Sequence, residues 1–208
     1  MGYDIMIWDN NEDIRVIECA NDRRVIQRQL NACREERRPY VFITNTMNIK
    51  PLRRLLVPVS MLEEETYKAE ISTYIARKTG AHIILLQAND YGSKARQNVN
   101  RIVTHIEHIN ERILNPTAES DTGDASKEHL ISYEIAQARK DSFSLIREAS
   151  ERQRDFQHDL LILTASRDYG LDDILFGPPE RKAIQHAIVP VMLVKSTRRP
   201  IFSLRLTL

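Results

Sequence analysis

Apolar residues in this chain fall into short uninterrupted runs, which alternate with segments whose apolar positions recur every three or four residues. Arg54–Val59 (RLLVPV), Ala81–Ala88 (AHIILLQA), Asp159–Thr164 and Pro190–Lys195 have the length and branched character of buried strands, and one more strand is predicted around Ile131–Ala136. Helical periodicity fills the gaps. Leu62–Thr79 begins with Glu63, Glu64 and Glu65, which suit the positive end of a helix, and Gly80 ends it. Ser93–Leu114 places Val99, Ile102, Val103, Ile106, Ile109 and Ile113 on one helical stripe, and further helices are predicted over about 142–157 and 178–187. Residues 115–127 (NPTAESDTGDASK) are polar throughout and predict a loop without fixed structure. Continuous apolar strands alternating with helices imply an α/β fold. Its sheet is five-stranded and mainly parallel, with helices on both faces.

The first 50 residues read as a partial copy of the end of the chain. YDIMIW at 3–8 parallels HDLLIL at 158–163, and RRPYVFIT at 37–44 parallels IVPVMLV at 188–194. Between them a helix is predicted over 24–37, where Val25-Ile26-Gln27 matches Ala183-Ile184-Gln185. The division is therefore a strand-helix-strand unit at 1–50 and a main domain at 51–208. A lone unit of this kind leaves a sheet face without neighbours, so it must pack on the main domain or on a second chain.

Composition narrows the function. A net charge of +1, from 30 basic and 29 acidic residues, gives no field to recruit nucleic acid or an anionic membrane. No apolar run approaches the ~20 residues of a membrane span, and no signal-peptide pattern opens the chain. Cys19 and Cys33 lack metal or redox spacing and read as reduced thiols, which together predicts a cytoplasmic protein.

The order of strands and helices from 54 to 195 resembles the universal stress protein family. Leu55-Leu56-Val57-Pro58-Val59 is similar to its opening strand, Gly80–Leu86 to the end of its first helix and its second strand, and Pro190–Val194 to its closing strand. The resemblance implies an adenine nucleotide alpha hydrolase-like fold with an open sheet, a role in stress response and pairing through the closing strand, so that Tyr40–Thr44 is expected beside Val191–Lys195, with a two-fold homodimer covering the rest of the N-terminal unit. Any nucleotide would lie across the carboxyl ends of the strands where the strand order reverses. Nucleotide-binding members carry an Asp after Val-Pro-Val, and a loop of the form Gly-x-x-Gly, nine residues, then Gly-Ser or Gly-Thr.

This chain departs from that pattern at nearly every chemical position. Ser60 replaces the Asp, and Thr164 and Arg167 stand where the first two glycines would be. Gly177 remains, but Pro178 follows it in place of a hydroxyl residue, and Pro179 removes another N–H donor. Each charge-assisted hydrogen bond lost is worth about 1.5 to 3 kcal/mol. The expected crevice of Pro58, Val59, Ser60, Ala88, Thr164, Arg167, Gly177 and Pro178 is thus a degenerate nucleotide site, expected to hold no cofactor. The alternative is an altered loop in which Arg167, Ser60 and Gly177 hold ATP or AMP, Arg167 binding phosphate bidentately instead of pairing with Asp168, Asp172 or Asp173.

Other chemistry is sparse. The three loop aspartates lack calcium-loop spacing, and His105 and His108, one helical turn apart, have no companion ligands, so no metal is expected. No GxSxG elbow or paired nucleophile is present, and the chain reads as a non-enzymatic module, with a small hydrolase a distant third reading. Asn89–Ser93 reads either as a plain strand-to-helix turn capped by Ser93 or as one side of the ligand crevice, with Tyr91 and Tyr169 as its aromatic walls.

Overall fold

A computed structural model describes residues 14–33, 38–62, 65–115, 128–165 and 179–194, the side chains of 65–67 aside. Its elements run β1 (Arg15–Cys19), α1 (Arg23–Ala32), β2 (Tyr40–Thr44), β3 (Arg54–Val59), α2 (Glu65–Thr79), β4 (His82–Gln87) and α3 (Lys94–Leu114). They continue with β5 (Tyr133–Gln137), α4 (Leu145–Glu151), α5 (Gln153–Phe156), β6 (Leu160–Thr164), α6 (Pro179–His186) and β7 (Val191–Val194).

The strands form one seven-stranded sheet in the order β1-β2-β7-β6-β3-β4-β5. The five strands from β3 to β7 are mutually parallel, as their unbroken apolar runs predict. Alternate residues serve opposite faces. Leu55, Val57, Ile83, Leu85, Leu160 and Ile162 join α2 and α3 in one core, while Leu56, Ile84, Leu86, Leu161 and Leu163 join α1, α4 and α6 in the other. Gly80 ends α2 at φ +71°, a left-handed conformation, and a Cβ there would sit 3.3 Å from the His129 ring. The helix expected over 142–157 is divided at Arg152 and closes at Gln157, whose φ of 48° is left-handed.

The N-terminal unit differs in detail from expectation. Its first described strand is Arg15–Cys19; the strand expected at 3–8 and the helix extension over 34–37 lie outside the described residues, as do 116–127 of the polar loop. An edge strand is half exposed, so β1 lacks the continuous apolar run that marks the central strands. β2 pairs antiparallel with β7, Tyr40 opposite Leu193 and Phe42 opposite Val191, the neighbourhood predicted from the repeat. All 5 residues of β2 are buried, while β1 is the partly exposed edge of the unit. Ile26 of α1 and Ile184 of α6 are both at 0 % exposure in the same core, and Arg181 Nη1 donates to Gln27 Oε1 at 3.4 Å.

Residues 165–178 separate β6 from α6, whereas only Ala20, Asn21 and Asp22 separate β1 from α1. The Asp22 carboxylate accepts from Arg24 N and Val25 N at 2.8 and 3.0 Å and so caps the start of α1.

Candidate functional site

The strand order reverses between β3 and β6, whose sequence successors β4 and β7 lie on opposite sides, so the crevice of an open α/β sheet belongs at their carboxyl ends. β3 and β4 are in register from Arg54–His82 to Val59–Gln87, but β3 and β6 only at Leu55–Leu160 and Leu56–Leu161. Pro58 supplies the reason. Asp159 N donates to Arg54 O, and Ala88 N to Val59 O, so alternate residues of β3 turn their backbone groups to β6, Pro58 among them. Pro58 has no N–H to offer, and its carbonyl instead accepts from Lys68 Nζ, an ammonium group on α2 that is 3 % exposed. The ladder stops there and the two strands part.

Of the expected site residues, Pro58, Val59, Ser60, Ala88 and Thr164 are brought to this end of the sheet. Pro58 and Val59 close β3, and Ala88 directly follows β4. Ser60, buried, accepts through Oγ from Leu62 N at 3.2 Å, while Asn98 Nδ2 donates at 2.8 Å to the carbonyls of both Ser60 and Leu62. Thr164 closes β6, and its buried hydroxyl has no hydrogen-bond partner among the described residues. Arg167, Gly177, Pro178 and Tyr169 lie outside the described residues. Tyr91 does not wall the crevice: it is fully exposed. Ser93 stands at the start of α3 without a side-chain capping bond, because its hydroxyl accepts from Gln97 Nε2 instead.

The rim is tied by polar residues that the reading of the sequence did not single out. Ser142 donates through N and Oγ to the Asp90 carboxylate at 2.8 and 2.5 Å, and its Oγ accepts from Met61 N at 2.9 Å. Glu148, buried on α4, accepts from Arg139 N, Lys140 N and Arg152 Nη1. Burial acts to raise its pKa, but the hydrogen bonds from Arg139, Arg152 and Lys140 outweigh it and hold the carboxyl below the usual range. For two buried polar residues near this end of the sheet, Asn98 and Lys68, the sequence did carry a signal. Asn98 shares a stripe with Ala95, Val99 and Ile102, and Lys68 one with Ile71, Ser72 and Ile75; polar residues on an apolar stripe are buried for a reason.

His105 is half-buried, with Thr73 Oγ1 at 3.5 Å, and its pKa is lowered by burial and then by His108 and Arg77. Among the described residues no group of three or more His, Cys, Asp or Glu is placed to hold a metal ion, and no helix is long and apolar enough to cross a membrane.

No curated protein matches this chain. A universal stress protein from Archaeoglobus fulgidus is similar in fold at 13% identity and TM-score 0.59, covering 93% of this chain and 64% of its own. A functionally unknown protein from Pseudomonas aeruginosa is similar at 12% identity and TM-score 0.49, covering 88% of this chain and 63% of its own. A universal stress protein crystallised with cAMP is similar at 11% identity and TM-score 0.48, covering 71% of this chain and 100% of its own. This chain thus spans under two-thirds of the length of the first two. The universal stress protein family model matches residues 51–195, the stretch that holds β3 to β7 and the switch-point crevice, and the chain belongs to the universal stress protein family.

Proposed function

We propose that this chain is a cytoplasmic stress-response module that works by binding and regulation rather than by catalysis, and that its crevice does not hold ATP in the usual way. The observation that carries this reading is the corner at Ser60. Where nucleotide-binding members of the family place an Asp, this chain has a hydroxyl that accepts from Leu62 N and a carbonyl that accepts from Asn98 Nδ2. Groups already bonded within the chain must break those bonds before they serve a ligand. The substitutions at Arg167, Pro178 and Pro179 point the same way, since they remove backbone approach and donors from the phosphate loop. The cover of β2 weakens the argument for a homodimer through the N-terminal unit, and a dimer rests on the family habit alone.

The test is ligand content and thermal shift. Purified protein is denatured and its released small molecules are read by absorbance and mass spectrometry, and ATP and AMP are titrated to millimolar concentration. No bound adenine nucleotide and no shift in melting temperature are expected, because a ligand that binds only the native state stabilises it by mass action. A saturable shift with a micromolar midpoint would establish the second reading, an altered-loop adenine-nucleotide site. That reading is favoured by the buried Thr164 hydroxyl at the end of β6.

A further inference from the structure

Three loops at the carboxyl end of the sheet each present one large apolar side chain to solvent. Leu62 follows β3, Tyr91 follows β4 and Phe143 follows β5, with exposures of 53%, 109% and 86%. Single exposed apolar residues are ordinary, but these three are held together. Each directly follows a member of one hydrogen-bonded set: Met61, Asp90 and Ser142, in which Ser142 bridges the other two. The Leu62 carbonyl is held by Asn98, and Asn89 N donates to Lys140 O at 2.8 Å. The trio is therefore presented on loops fixed to one another, so little ordering cost remains for a partner to meet.

The β4 and β5 loops carry an excess of positive charge. Lys94 and Arg96 occupy the first turn of α3, where a cation is least favourable, and Arg139 and Lys140 follow β5. None of these four side chains makes an ion pair among the described residues, and all four are exposed. The carboxylates of these loops accept hydrogen bonds, Asp90 from Ser142 and Asp141 from Ser144 N at 3.1 Å, and keep their charge. Four cations against Asp90 and Asp141 leave the β4 and β5 loops with a net charge of +2, while Glu63 and Glu64 follow Leu62 in sequence.

We propose that Leu62, Tyr91 and Phe143, with the cations of the β4 and β5 loops beside them, form a docking surface for a segment of a protein partner that carries apolar anchors flanked by carboxylates. Charge complementarity selects an acidic segment. A protein is favoured over a nucleic acid because the net charge of +1 provides no field for a polyanion, and because Leu62 is aliphatic where stacking needs a ring. The three side chains expose on the order of 400 Å², about half of the ~800 Å² that one partner contributes to a standard interface. A transient, micromolar contact follows. The inference rests on the reading of this chain as a binding module, but not on the state of its nucleotide crevice.

The test uses the full chain and a labelled peptide of about a dozen residues alternating Leu and Phe with Glu and Asp, read by fluorescence anisotropy. Saturable binding is expected, weakened roughly tenfold in Tyr91→Ser/Phe143→Ser, weakened several-fold in Arg139→Glu/Lys140→Glu, and absent for a peptide with Lys in place of the acids. Both variants change exposed side chains, and circular dichroism checks their fold. The proposal is overturned if the acidic peptide does not bind or binds both variants as it binds the parent. It is equally overturned if an oligo-dT strand or a phosphatidylserine vesicle binds this surface more tightly than the peptide. ATP titrated into the same samples is read separately, so nucleotide binding would overturn the degenerate-crevice reading and leave this surface standing.

Discussion

His158 lies one residue before the Asp159 that hydrogen-bonds β3, and only 3 % of it is exposed. Neither ring nitrogen has a hydrogen-bond partner among the described residues. Burial, and then the charge of Arg54, lower its pKa to about 4; Arg54 is fixed by its own bonds to Phe156 O and Glu134. The unfolded imidazole titrates near 6.5, so between those two values the unfolded state binds the extra proton. Stability from the neutral ring is therefore fully present above about pH 6.5 and is lost as pH falls towards 4, by about 2 kcal/mol at pH 5 and about 3 kcal/mol at pH 4. Glu148, whose pKa is lowered, loses stability in the same direction, so the two must be separated by mutation. His158→Leu removes the titration at similar volume and also removes unsatisfied ring nitrogens, whose burial costs about 1 to 3 kcal/mol. At pH 7 the variant should lie within about 1 kcal/mol of the parent or above it. The assay is urea denaturation of both proteins from pH 7 to pH 5. The difference in unfolding free energy should move by about 2 kcal/mol in favour of the variant as pH falls, or roughly 4 to 8 °C in melting temperature. Parallel pH profiles would refute the reasoning, because they would mean that the buried ring carries no depressed pKa.

Other expectations follow from the same packing. Phe42→Ala empties a site at 0 % exposure in the strand that joins the N-terminal unit to β7, beside Tyr40 at 5.8 Å between ring centroids; a loss of about 3 to 5 kcal/mol is expected in urea denaturation. The loss should come in a single transition, since the core containing Phe42 runs through β6, β7 and α6, and a separate early transition would show that the unit folds alone. Glu148→Ala leaves Arg139 N and Lys140 N without their acceptor and should cost about 3 kcal/mol by thermal denaturation, whereas a loss under 1 kcal/mol would show that water replaces the carboxylate. Asp22→Ala uncaps α1 and should cost about 1 kcal/mol, with Asp22→Ser restoring most of it in the same measurement.

Sequence alone determined the strands and helices of the main domain, apart from the break at Arg152 that divides the helix expected over 142–157. Runs such as Ile83–Leu86 are apolar on both faces because a parallel sheet is covered on both, and α3 shows its stripe because only one side of it meets the core. The edge β2 forms with β7 was also legible, through the likeness of residues 37–44 to 188–194, as was the replacement of Asp by Ser60. β1 was not, since an edge strand buries too little to write a continuous apolar signature. Tertiary structure decided what happens at the crevice. The parting of β3 and β6 at Pro58, the burial of Lys68 against the Pro58 carbonyl, and the linking of Met61, Asp90 and Ser142 all join residues far apart in the chain. Hydrophobic burial is a property of each residue and repeats with the period of its element, so sequence records it. A hydrogen bond between distant loops has no period, and only the folded chain brings its two partners together.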